Sequence, residues 1–276
     1  MKRSQAFLLS CALIGLVLPA AAAEKVKTLP IVDRAIAFHG GDLYRASETR
    51  LTIRSKSGAF QVVSRMDGDL FDHSVTETLP DGKERRTRAT NGAVERWEGG
   101  KRTPLDAEGE RRARDHVMSR VYFPFLPYRL NDPSVEKQDL GLEEWGGRKL
   151  HKVKVTFQSG TSTDANDEYL YWFDPETGRL EQLAYSFGTG QKEGGLRLRK
   201  STNFRRVGGI LFYDAENLGI DGGGDLRVES VTPEAVEKTF KKISTVVVEG
   251  VEVKGVRQEA RPLGTTERMG NTPSVG

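Results

Sequence analysis

What most restricts this chain is a succession of short turns set between runs that alternate apolar and polar residues. Leu51 and Ile53 alternate with Thr52 and Arg54, and Phe60-Gln61-Val62-Val63 follows a Ser57-Gly58 turn. Phe71, His73 and Val75 alternate with Asp72, Ser74 and Thr76. Pro80-Asp81-Gly82 closes a hairpin into residues 83–90, and Asn91-Gly92 closes the next into 93–97. Asn-Gly is a strong hairpin signal, because both central residues of a type I′ turn need positive φ. Strand-like runs resume at residues 150–157, 169–173, 180–187, 196–199, 210–213, 226–231 and 246–253. About ten or eleven strands in hairpin order, with no strand–helix alternation, predict a mainly β fold with an antiparallel sheet.

Helices are few. Ile31, Ala35, Ile36 and His39 share one face of a short helix over residues 29–39, which Gly40-Gly41 stops. Residues 106–120 form a second, with Ala113, Val117, Met118 and Val121 as its stripe. Residues 233–242 fit a short helix or an extended segment equally. No linker or fixed-period repeat divides the chain, so residues 24–260 read as one domain and 261–276 as a frayed polar tail.

The N-terminus reads as an export signal. Met1-Lys2-Arg3 is followed by an apolar stretch over 6–18 and by Pro19-Ala20-Ala21-Ala22-Ala23, with cleavage expected after Ala23. That stretch is too short to span a membrane, so no integral span is expected in the mature chain. Cys11 is the only cysteine, and Leu8-Leu9-Ser10-Cys11 offers a lipoprotein reading. The apolar run continues through Val17 and Leu18, which favours a cleaved signal and a mature chain free of disulfides. Basic and acidic side chains number 42 and 39, and loss of Lys2 and Arg3 lowers the net charge of +3 by two. Nothing remains to neutralise a phosphate backbone, so no nucleic-acid partner is expected.

Catalytic signatures are weak. His39, His73, His116 and His151 are too dispersed for a local zinc pair, and there is no Gly-x-Ser-x-Gly elbow. No metal or cofactor is expected. Gly99-Gly100-Lys101 and Gly188-Thr189-Gly190 read as hairpin loops rather than phosphate cradles. The basic runs 83–88, 111–114 and 197–200 have two readings. One is a solvated outer face, which the strand-period alternation favours; the other is a rim that meets an anionic headgroup.

The aromatic residues say more. If Phe173 faces Leu180 across the 174–179 turn, one face of that hairpin carries Leu170, Trp172, Leu183, Tyr185 and Phe187. The other then carries Tyr169, Tyr171, Phe173, Leu180 and Ala184. Apolar residues on both faces need cover on both, or a cavity. Tyr122, Phe123, Phe125, Leu126 and Tyr128 crowd a segment that Pro124 and Pro127 keep out of helix and central strand. They are expected to form a lid or a plug over the sheet.

The signal, the helix ending in His39-Gly40-Gly41, the long meander with a helix inserted, and the Tyr-Trp-Phe-Asp-Pro-Glu-Thr-Gly-Arg-Leu hairpin over 171–180 together resemble the LolA/LolB-like superfamily. These are bacterial outer-membrane lipoprotein carriers and related periplasmic lipid-binding proteins. Within it, the pattern is similar to an uncharacterised exported group. The resemblance implies a curved, unclosed antiparallel β-barrel with helices plugging the open side around an apolar cavity. It further implies a non-enzymatic periplasmic carrier of a lipid or acylated lipoprotein, with envelope transport components as further partners. The candidate cavity and lid residues are then Tyr122, Phe123, Phe125, Leu126, Tyr128, Leu170, Trp172, Leu183, Tyr185 and Phe187. An envelope enzyme using His73, His151 or a carboxylate as base is one alternative. A scaffold without a pocket is the other.

Overall fold

The computed structural model describes residues 28–158, 168–187, 194–221 and 226–255. The export signal with Cys11, the 159–166 loop, Gly188-Thr189-Gly190 and the 261–276 tail lie outside the described residues. The described part opens with α1 (Pro30–His39) and a 3-10 helix over Gly41–Ala46, then runs β1 (Ser47–Ser55), β2 (Gly58–Asp67), β3 (Leu70–Thr78), β4 (Glu84–Thr90), β5 (Val94–Glu98) and β6 (Lys101–Thr103). Next come α2 (Ala107–Tyr122), β7 (Val135–Trp145), β8 (Arg148–Phe157), β9 (Tyr169–Phe173), β10 (Leu180–Phe187), β11 (Gly195–Val207) and β12 (Ile210–Asp221). Helix α3 (Pro233–Thr239) and β13 (Lys241–Gly255) complete it.

All thirteen strands form one antiparallel sheet in the order β6-β5-β4-β3-β2-β1-β13-β12-β11-β10-β9-β8-β7, not closed into a barrel. The first strand pairs with the last at mid-sheet. Strands β6 and β7, neighbours in sequence, are therefore the two free edges, and α2 with residues 123–131 bridges between them. The count exceeds the sequence expectation because β6 is only three residues long and β7 is rich in charge. Residues 226–231 are not a strand. Val228–Ser230 is a 3-10 turn, and the Thr232 hydroxyl caps α3 by accepting from the Ala235 N–H at 3.2 Å. Helix α2 starts at an Asp106 cap, which accepts from the Gly109 N–H at 2.7 Å, and runs on to Tyr122.

Two signals that the sequence presents separately are interlocked. Gly178, at φ 80°, would place a Cβ 2.7 Å from the Ala35 nitrogen, so only glycine lets the β9–β10 turn press onto α1. The buried His39 Nε2 accepts from the Leu180 N–H at 3.0 Å, and the Arg34 guanidinium donates to the Pro175 carbonyl. The turn itself is held by Asp174, whose carboxylate accepts from the Thr177 N–H and hydroxyl, each at 2.8 Å.

Its pairing carries a bulge. Leu180 opposes Phe173, but Gln182 opposes Trp172 and Leu183 opposes Tyr171. The extra residue flips everything after it to the other face. Leu183 and Tyr185 therefore join Tyr169, Tyr171 and Phe173 on the inner face, beneath α1 and residues 126–130. Leu170 and Trp172 lie on the outer face with Ala184, Leu196 and Leu198, covered by Val228, Val231 and Val236. The expected face uniting Leu170 and Trp172 with Leu183, Tyr185 and Phe187 is thus divided. A second inner cluster joins β1–β4, β12 and β13 to Val117, Val121 and Phe125.

Candidate functional site

Helix α2 crosses the inner face of β2–β5, its buried stripe being Ala113, Val117 and Val121. Arg114 ties it to the hairpin tip by donating to the Thr90 carbonyl at 2.8 Å. Beside it lies a cavity of about 430 Å³, lined by Phe71 of β3, by Met118, Val121, Tyr122 and Phe123, and by Val135, Phe157 and Tyr169 of the far strands. Strands β3 and β8 are eight places apart in the sheet. Laid flat, that would separate them by roughly 38 Å at about 4.8 Å per strand. A single cavity of this size touches both only because the sheet curls strongly around it. Its wall is mainly apolar, with Arg114, Asp115, Arg129 and Asp132 at its polar side. The Arg129 Nε donates to the Asp132 carboxylate at 2.6 Å. Ligand sites fall in the range of about 300–1,000 Å³, apolar with a few polar groups.

A second cavity, of about 150 Å³, also has Ser119 and Phe123 in its wall and lies against Ile53, Phe60, Tyr213 and Val248. A third, of only about 20 Å³, is ringed by Tyr44, Ser47, Thr49, Ser64 and His73. His73 stacks on Phe71 at 4.8 Å. Burial, helped by the Arg129 charge, pushes its pKa down to about 4.

The 122–128 segment divides its labour. Tyr122 and Phe123 line the large cavity, and the Tyr122 hydroxyl shares a 2.8 Å hydrogen bond with that of Tyr171. Burial pushes the Tyr122 pKa up to about 12. Phe125 is buried edge-on between Tyr44 and Phe212, Leu126 is buried in the core, and Tyr128 stacks on Tyr44 at 4.9 Å. Tyr185 backs the wall, 5.7 Å from Phe123 and 5.5 Å from Tyr169, while Leu183 is core. Phe187 lies under the Arg197 guanidinium at 4.3 Å and lines none of the three cavities. Leu170 and Trp172 are outer-face core. The Trp172 Nε1 donates to Glu143 at 2.6 Å, and the ring lies 5.0 Å from Trp145. Sequence reasoning missed Phe71, Phe157 and Arg129. The first two stood in alternating strands, but nothing local said that β3 and β8 meet.

The basic strand β11 departs from the favoured solvated-face reading. Leu196 and Leu198 are buried in the outer layer, so Arg197 and Arg199 turn to the inner face. In β4 that reading fits Arg86 and Arg88, while Arg85 points inward to Glu77 at 2.6 Å. His116 also meets Glu77, at 3.1 Å, and burial with the Arg120 charge pushes its pKa down to about 4. His151 pairs with Asp139 at 2.7 Å on β7–β8 and lines none of the three cavities. Among the described residues, no group of three His, Cys, Asp or Glu side chains is placed to hold a metal. Among them too, no helix is long and apolar enough to cross a membrane.

Comparison with solved structures finds the chain similar to a LolA superfamily protein from Nitrosomonas europaea, at 12% identity over 80% of this chain and 91% of that one, with a TM-score of 0.47. It is also similar to a DUF1329 family protein from Desulfovibrio piger, at 13% identity over 80% and 91%, with a TM-score of 0.43. The Mycobacterium tuberculosis lipoprotein LppX follows at 13% over 62% and 93%, with a TM-score of 0.30. At these scores none of them bears on what this chain binds. No curated protein matches it significantly. The model of one family, described as of unknown function and designated DUF6503, matches residues 2–246, and the chain belongs to that family.

Proposed function

We propose that this protein is an exported, non-enzymatic carrier that holds the acyl chain of a lipid or of an acylated lipoprotein in the cell envelope. The observation that carries the reading is the cavity of about 430 Å³ on the inner face, walled by Met118, Val121, Tyr122, Phe123, Phe157 and Tyr169. Each methylene that leaves water for such a wall contributes about 0.8 kcal/mol. Binding therefore needs no cofactor and no bond-making step. The signal over residues 1–23 delivers the domain, residues 24–260, to the periplasm, and Tyr122 and Phe123 form the part of the 122–128 segment that meets the ligand. Phe125, Leu126 and Tyr128 hold that segment in place from behind.

Native mass spectrometry of the protein purified from its own envelope tests this. The expected result is a mass excess that solvent extraction releases as a lipid. A protein at its bare polypeptide mass that also fails to bind a fluorescent fatty acid would contradict it.

A further inference from the structure

We infer that the smaller cavity, of about 150 Å³, binds an oxyanion, either a carboxylate or a phosphate group. That the anion is the head of an amphiphile rests on the acyl reading of the neighbouring cavity; that the site takes an anion does not.

Three hydrogen-bond donors converge there without a matching acceptor. Arg199 is directed inward because Leu196 and Leu198 occupy the outer layer. Its guanidinium lies 4.3 Å from the Phe123 ring and makes no ion pair among the described residues. Arg120 donates one N–H to the His116 carbonyl at 3.4 Å and otherwise reaches only 3.8 Å from Glu77, a carboxylate already engaged by Arg85 at 2.6 Å. The Arg120 Nε is buried with no partner. Tyr213 is 8% exposed, and its hydroxyl is likewise buried and unpartnered. Buried donors in folded proteins are nearly always paired, so two of them beside one cavity, with the half-buried Arg199 guanidinium uncommitted next to them, mark a place for a missing acceptor. The cavity wall contains two arginines and no carboxylate.

Ser119 and Arg120 stand in the last turn of α2, where the helix dipole disfavours an anion. The two guanidiniums must therefore supply the attraction, through charge-assisted hydrogen bonds. Apart from Ser55 and Ser119 the rest of the wall, Ile53, Phe60, Val246 and Val248 among it, is apolar, which strengthens those bonds by keeping water back. Ser119 and Phe123 wall both cavities, so a head held by Arg199 leaves its chain beside the acyl cavity.

Displacement of the uncharged probe N-phenylnaphthylamine from the full chain by dodecanoate, dodecyl phosphate and dodecanol tests the inference, with thermal melting in inorganic phosphate alongside. Dodecanoate and dodecyl phosphate should bind at least tenfold more tightly than dodecanol. Arg199→Met keeps the stem against Phe123 and should abolish that advantage while dodecanol binds as before. Tyr213→Phe should reduce the advantage severalfold. If inorganic phosphate alone raises the melting temperature of the wild type and not of Arg199→Met, the site takes a free anion. Equal binding of all three amphiphiles, with no Arg199-dependent phosphate effect, would overturn the anion site and leave the acyl reading standing. Failure of all three to bind would overturn the acyl reading, and the phosphate melting would then decide the anion site alone.

Discussion

The two wings of the sheet solve the burial problem differently. Across β1–β5 one face is apolar, with α2 lying over β2–β5, and the other is dressed with ion pairs. Arg50 meets Glu48, Arg54 meets Glu249, and Arg88 sits between Asp72 and Glu95. Across β9 and β10 both faces are buried, the inner one under α1 and residues 126–130, the outer one under residues 228–236. The difference teaches where a cavity can sit. The two-sided wing is held from both sides. The one-sided wing curls over toward it, and the space left between Phe71 and Phe157 is what α2 and Phe123 only partly fill.

The comparison breaks first on the outer face. Leu198→Asp places an uncompensated charge inside the outer cluster and should cost several kcal/mol, enough to lower the melting temperature sharply or unfold the protein. Arg54→Ala removes one exposed ion pair on the other wing and should cost less than about 1 kcal/mol. Equal melting shifts for the two variants would mean that the outer layer does not bury β11.

A second contrast lies within the bridging segment. Phe125→Ala vacates a buried site between Tyr44 and Phe212 and should cost about 3–5 kcal/mol in denaturant titration. Phe123→Ala opens a wall that is already a cavity. It should leave the protein folded while weakening a fluorescent fatty acid about tenfold, roughly 1.4 kcal/mol. The reverse order of stabilities would make Phe123 the plug.

Two glycines with the same backbone sharpen the comparison further. Gly178 and Gly82 have φ of 80° and 81°, but a Cβ at Gly178 would meet the backbone of Arg34 and Ala35, while one at Gly82 would meet nothing within 4 Å. Gly82→Ala should therefore cost only the backbone strain, about 1 kcal/mol, and Gly178→Ala about 2 kcal/mol or more.

The one-sided wing was legible from sequence because its alternation carried both strand and face. Asn91-Gly92 and Pro80-Asp81-Gly82 marked its turns, and Val62 and Val75 stood at apolar positions of its alternation. Alternation is silent on which face is which when both are apolar. Thus the bulge before Gln182, which separates Leu183 and Tyr185 from Leu170 and Trp172, left no trace in the pattern. Strand β7 was hidden for the opposite reason, its Glu136, Asp139, Glu143 and Glu144 looking like a loop. Its Lys137 is nonetheless buried, donating to the Leu130 carbonyl at 2.7 Å. For the site, the 122–128 cluster was visible in its aromatic content. Its partners Phe71 and Phe157 required the curl of the whole sheet.

The gentlest test uses pH. Burial, helped by the Arg206 and Arg179 charges, pushes the His39 pKa from 6.5 down to about 3, and the neutral ring accepts from the Leu180 N–H. Between those values the unfolded chain binds a proton that the folded one does not. This contribution to stability is thus complete above pH 6.5 and is lost as pH falls toward 3, at up to about 1.4 kcal/mol per pH unit. In His39→Gln the slope of stability against pH should lose up to one proton in this window, with the remaining slope coming from His73 and His116 and, at its acidic end, from paired carboxylates such as Asp72 and Glu77. An unchanged slope would place a charged imidazole in the α1 joint.

The central claim is that an acyl chain lies between the two wings on the inner face, against α2 and Phe123. A photoactivatable fatty acid crosslinked to the full chain, followed by peptide mapping, reads that position directly. Labels on Met118, Tyr122 or Phe123 of the bridge, together with Phe71 on one wing or Phe157 or Tyr169 on the other, are the expected result. Labels confined to the outer layer around Trp145 and Val236, or scattered over the ion-paired face of β1–β5, would contradict it.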